Sequence, residues 1–150
     1  MTSTPRFAHL TTLFSALALA ACGGTLTGPS PAPAAPPASL AIVTNAVWHL
    51  RSIADADGTI QAIEDPSLFT LMLTDKGQVA ARVDCNRASG GYTISGNALS
   101  IGPLASTKAY CGTASFDRKF LTLLGGQTTA TTSGATLQLS SPRGTMTFDR

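Results

Sequence analysis

From about residue 41 to the end, the chain is cut into short runs of Val, Ile, Leu, Thr and aromatic residues, each closed by Gly, Asp, Asn or Pro. Turn residues recurring at about eight- to twelve-residue intervals leave room for strands and little room for helices. Strands are predicted over 47–52, 68–73, 78–83, 91–94, 98–101, 128–132, 136–139 and 145–148. Between most of them stand Asp57-Gly58, Asp75-Lys76-Gly77, Ser95-Gly96-Asn97, Ser133-Gly134 and Pro142-Arg143-Gly144. Such residues tolerate positive φ or preset a turn, and the links are of hairpin length. A largely antiparallel meander follows.

One segment breaks the pattern. Phe116, Phe120, Leu123 and Leu124 recur at helical spacing, with Ser115 placed as N-cap, Asp117 in the first turn and Gly125-Gly126 after the end. The expected fold is therefore α+β and β-rich, a mainly antiparallel curved sheet with one helix packed on its open side. Each element needs the other's dry face.

Charge narrows the partners. The ten Lys and Arg against eight Asp and Glu are scattered, and no basic run exceeds Arg118-Lys119. Nucleic acid is excluded, since phosphate-backbone binding needs a clustered basic footprint.

The N-terminus carries an address. Arg6 precedes an apolar run from Leu10 to Ala21, which suits a signal peptide and falls short of the roughly 20 residues of a spanning helix. The run ends in Leu19-Ala20-Ala21-Cys22-Gly23, which resembles the lipobox of bacterial lipoproteins. That resemblance implies cleavage before Cys22 and acylation of its thiol and new amine. Residues 1–21 are then the leader, and lipid on Cys22 is the membrane partner, since several acyl chains hold firmly where one holds marginally. Gly23 rather than Asp after the cysteine implies the outer membrane, facing the periplasm. Residues 22–39 form a linker with Pro29, Pro31, Pro33, Pro36 and Pro37, a semi-rigid extended spacer. The domain occupies 40–150.

Within the domain, Trp48 and Leu50 are followed by Cys85-Asn86 with Gly91-Tyr92, then by Gly96, Leu99, Ile101, Leu104, Thr107 and Cys111, and last by Phe120, Leu124, Leu137, Leu139 and Phe148. This pattern resembles that of the META, or HslJ-like, family of bacterial envelope lipoproteins. Two departures stand out: Asp84 where the family usually has Gly, and Ala109-Tyr110 where a Met often precedes the second cysteine. The resemblance implies a small β-rich fold with a helix, and a link to stress responses or antibiotic tolerance. It carries no established catalytic residue.

With Cys22 acylated, Cys85 and Cys111 are the two thiols left in an oxidising compartment, and a disulfide between them is expected. Closing a loop of this length stabilises by roughly 3.5 kcal/mol in the chain-entropy view. A metal site would need three or four ligands, and His49, beside Trp48, stands isolated in the domain's sequence. Asp55-Ala56-Asp57-Gly58 reads as a turn rather than a calcium loop, for want of further acidic ligands. Asn86 is read as closing the turn after Cys85, and Ser89-Gly90-Gly91 as a hairpin connection. No catalytic residue, cofactor or metal is assigned. The expected function is a non-enzymatic binding or interaction module on the outer membrane, engaging an envelope protein or small ligand under stress. The alternatives are a periplasmic thiol or redox protein using Cys85 and Cys111, and a periplasmic inhibitor of a partner protein.

Overall fold

A computed structural model describes Ile42 and residues 44–150. The leader, Cys22 and the proline-rich linker lie outside the described residues. The elements run β1 (Val47–Asp55), β2 (Ile60–Ala62), a 3-10 turn (Pro66–Leu68), β3 (Phe69–Leu73), β4 (Gln78–Val83) and β5 (Asn86–Ser95). They continue with β6 (Ala98–Ile101), β7 (Ala105–Ser106), α1 (Asp117–Leu124), β8 (Gly126–Ser133), β9 (Thr136–Ser141) and β10 (Gly144–Asp149).

The β-rich antiparallel character and the one helix agree with the sequence reading, but the sheet is not open. Neighbouring strands pair in the order β10-β9-β8-β6-β5-β4-β3-β1, and β1 also pairs with β10, Leu50 opposite Phe148 and Asp55 opposite Gly144. Eight strands thus close into a barrel, with β2 added beside β1 and β7 beside β5. Closure removes the exposed edges that an open sheet presents for association.

Alternation explains why these strands line a barrel. Along β3, Phe69, Leu71 and Leu73 point inward while Thr70 and Met72 do not; along β10, Gly144, Met146 and Phe148 point inward. On β1 the register shifts between Leu50 and Ser52, so Leu50 and Ile53, three apart, both face the core. That is a β-bulge, with one extra residue on the bulged strand.

The helix closes one end of the barrel. Strand β6 leaves at Ile101 and β8 returns at Gly126, and the connection between them is the one that carries α1. Phe120 inserts with ring centroids 5.7 Å from Phe69 and 6.2 Å from Phe148. Lys119 Nζ reaches Asp55 Oδ2 at 2.7 Å, and Arg143 donates to the Gly125 carbonyl at 2.6 Å. Ser115 is not the cap: Phe116 holds that position, and the Ser115 hydroxyl accepts from the Asp117 N–H at 3.2 Å.

Twelve large side chains, Trp48, Leu50, Phe120, Met146 and Phe148 among them, are less than 2% exposed. An eight-stranded barrel is just wide enough for side chains to fill or for one small ligand. Here side chains fill it. At the opposite end, the Tyr92 hydroxyl donates to the Thr74 carbonyl at 2.6 Å. Burial, with Asp75 nearby, holds this phenol above its usual pKa.

Strand β5 begins five residues earlier than expected. Ser89, Gly90 and Gly91 are strand residues paired with Ala80, Val79 and Gln78, not a hairpin connection. Gly90 is needed because a Cβ there would lie 2.8 Å from the Pro103 carbonyl oxygen, where the β6–β7 connection crosses. The short β2 and β7 and the 3-10 turn were not anticipated; segments of two or three residues carry no period to read.

Candidate functional site

With the interior filled, chemistry belongs to the outer surface, and the sequence motif leads to one part of it. The turn between β4 and β5 is only Asp84-Cys85. Asp84 has φ 59°, a left-handed conformation that favours glycine and that Asp tolerates better than most residues. The family's usual glycine at this position thus has a backbone reason. Replacing Asp84 with glycine is expected to raise stability by about 0.5–1 kcal/mol, read as a later urea midpoint with unchanged slope. A lowered midpoint would show that the Asp84 side chain itself holds the turn.

Cys85 is bonded to Cys111, with 5.6 Å between their Cα atoms, and Asn86 turns inward beside it, 4% exposed. Its Oδ1 accepts from the Thr107 hydroxyl and the Ala109 N–H, both at 2.8 Å. Its Nδ2 donates to the Ala109 carbonyl at 2.9 Å and to Cys111 Sγ at 3.2 Å. Both donors and both lone pairs of the amide are used. Thr107 Oγ1 also accepts from the Arg87 N–H at 3.0 Å, and the Cys85 N–H donates to Cys111 Sγ at 3.3 Å. Asn86 therefore does not close its own turn. It clamps the segment 107–111, twenty residues on, so Cys85, Asn86, Thr107 and Cys111 act together as one staple.

The staple holds up a loop. Residues 107–116 stand over a depression of ≈ 720 Å³ whose rim includes Lys108, Tyr110, Ser115, Asp117 and Arg118. Tyr110, between Ala109 and Cys111, is 81% exposed. Exposed tyrosines of this kind anchor interfaces when a partner covers them.

The other predicted features fall elsewhere. His49 sits on β1 with Nδ1 3.4 Å from the Pro66 carbonyl oxygen, not beside the sulfurs. Asp57 accepts from the Thr59 N–H at 2.8 Å, and that bond holds its carboxyl below the usual range. Asp55 is engaged with Lys119. Among the described residues, no three His, Cys, Asp or Glu side chains cluster as metal ligands. Cys22 lies outside the described residues.

Comparison with known proteins gives a family and a fold. The family model described as META domain matches residues 41–150. A protein from Burkholderia xenovorans, solved by NMR, is 27% identical over 82% of this chain and 96% of its own, with TM-score 0.63. A second NMR structure is 20% identical over 69% of this chain and 86% of its own, with TM-score 0.53. A crystal structure of a lipocalin-like protein from Bacteroides uniformis is 18% identical over 69% of this chain and 94% of its own, with TM-score 0.48. No curated protein matches.

Proposed function

We propose, from the premise that the chain belongs to the META-domain family, that it is a non-enzymatic binding module. In this reading it is lipid-anchored through Cys22 to the outer membrane and faces the periplasm, where it supports the envelope under stress or antibiotic challenge. The observation that carries the binding reading is the stapled loop. A filled barrel offers no interior site, yet a disulfide and a saturated Asn86 amide are spent on holding residues 107–111 in place beneath an exposed Tyr110. Preorganised loops bind with less ordering cost. The favoured partner is another envelope component meeting this loop. The lipobox and the proline-rich spacer support the anchored address.

The test is site-specific crosslinking from the anchored chain. A photoreactive phenylalanine at position 110 is expected to give a discrete crosslinked envelope product that disappears when Cys22→Ser releases the chain from the membrane. The same probe at Gly134, on the far hairpin, serves as the control. Equal products from both positions would remove the loop from the account, and persistence in the Cys22→Ser chain would remove the anchor.

A further inference from the structure

The two-residue turn at Asp84-Cys85 has a second result on the outer wall, because it sets Arg82 directly opposite Arg87. Arg87 gives its N–H to Thr107 Oγ1 and its carbonyl to the Thr107 N–H. The Arg82–Arg87 pair is therefore of the non-hydrogen-bonded kind, where backbones approach to about 4.5 Å and side chains lie closest. Like charges opposed in this way destabilise a sheet.

The surroundings relieve Arg82 only in part and leave the Arg87 guanidinium unbonded. Arg82 Nε donates to the Asp84 carbonyl at 3.1 Å. Among the described residues, the ion pairs are Arg51–Asp149 and Lys119–Asp55, and neither involves Arg82 or Arg87. The Arg87 guanidinium makes no hydrogen bond there. Asp65 lies close enough for Arg82 to favour its charged form, and it also accepts from the N–H and hydroxyl of Ser67 at Oδ1.

The row continues across the wall. Arg82 is opposite Thr70, and Thr70 is opposite His49, so all four side chains share the outer face. Two residues along, Ala80, Ser89 and Ala105 form a second row of small side chains. They floor a depression of ≈ 600 Å³ with Arg82, Arg87 and Thr70 on its rim. The Thr70 and Ser89 hydroxyls also make no hydrogen bond among the described residues. Arg82, Arg87, Thr70 and Ser89 thus line one open hollow, with the Arg87 guanidinium and both hydroxyls unbonded among the described residues.

We propose that this hollow is a binding site for a phosphate-bearing anion, held by Arg82 and Arg87 with Thr70 and Ser89 as further donors. Guanidinium forks match phosphate oxygens in pairs, and charge assistance strengthens each bond. A local rule broken with only partial compensation is expected at functional positions. The hollow adjoins the depression beside Tyr110, sharing Ser106 and Thr107 with it, but its charged residues are Arg82 and Arg87 rather than those of the loop.

The test follows the arginine Nε–H signals of the full chain in a neutral detergent by NMR. Inorganic phosphate and glycerophosphoglycerol, the diester headgroup of an anionic lipid, are titrated separately at ionic strength fixed with chloride. The Arg87 Nε–H signal, which is unbonded among the described residues, is expected to shift saturably, with a smaller shift for Arg82, whose Nε also donates to the Asp84 carbonyl, while that of Arg51, bonded to Asp149, stays in place. Tighter binding of inorganic phosphate assigns a free or monoester phosphate as the source; tighter binding of the diester assigns a lipid headgroup. In R82Q/R87Q the affinity should fall by about tenfold or more, with the melting temperature unchanged or raised because the like-charge contact is gone. No saturable shift with either ligand, or full affinity in the double variant, overturns the site.

Discussion

Cys85→Ala/Cys111→Ala is expected to lower the domain's stability by about 3–4 kcal/mol, the loop-entropy value for a closed segment of this length. At about 4–8 °C per kcal/mol for a small domain, the melting temperature should fall by roughly 15–25 °C. The larger part of this arises in the unfolded chain, which regains the freedom the bridge removed. A smaller part comes from the folded side, because Cys111 Sγ accepts from the Cys85 N–H at 3.3 Å and from Asn86 Nδ2 at 3.2 Å. Reduced wild-type protein should reproduce most of the fall. Urea unfolding separates the two parts, since an unbridged unfolded chain exposes more surface and steepens the slope. A loss under about 1 kcal/mol, with the slope unchanged, would mean that the Asn86 network alone fixes the loop.

That staple was half legible. Cysteine counting pairs Cys85 with Cys111 without any structure, because the expected export and acylation of Cys22 would leave two thiols in an oxidising compartment, where they have few other fates. The part played by Asn86 was not legible: its partners Thr107 and Ala109 are local to nothing in its own neighbourhood, and a buried amide shows no periodic signal. The family pattern of Cys-Asn, then Thr, then Cys held the information as a spacing. The crossing of Pro103 and Leu104 at Gly90 and the pairing of β7 with β5 bring the two halves together. The same gap hid Arg82 and Arg87. Their opposition follows from a two-residue turn, whereas the glycines at 90 and 91 suggested a turn placed later. The helix was read well because Phe120, Leu123 and Leu124 declare a face within eight residues.

Barrel closure is the feature local pattern cannot carry, and Gly144→Ala is the variant that tests it, with an expected loss of about 4 kcal/mol or more. Gly144 stands opposite Asp55 at the start of the β1–β10 seam, buried, with φ 144°. A Cβ at this position would overlap the Ala54 carbonyl oxygen, a backbone atom in the partner strand, and would press on Leu123 of α1 at 3.4 Å. The seam must open to make room, and opening it exposes the core. An open sheet would place no strand there. Gly96 and Gly134 supply the contrast, since both have positive φ, 59° and 57°, and a Cβ at either meets nothing within 4 Å. Alanine at those positions should cost only the left-handed backbone penalty, about 1–2 kcal/mol. Thermal melts of the three variants therefore read out the seam directly. If Gly144→Ala loses no more than Gly134→Ala, strands β1 and β10 are not held together as the closed barrel requires.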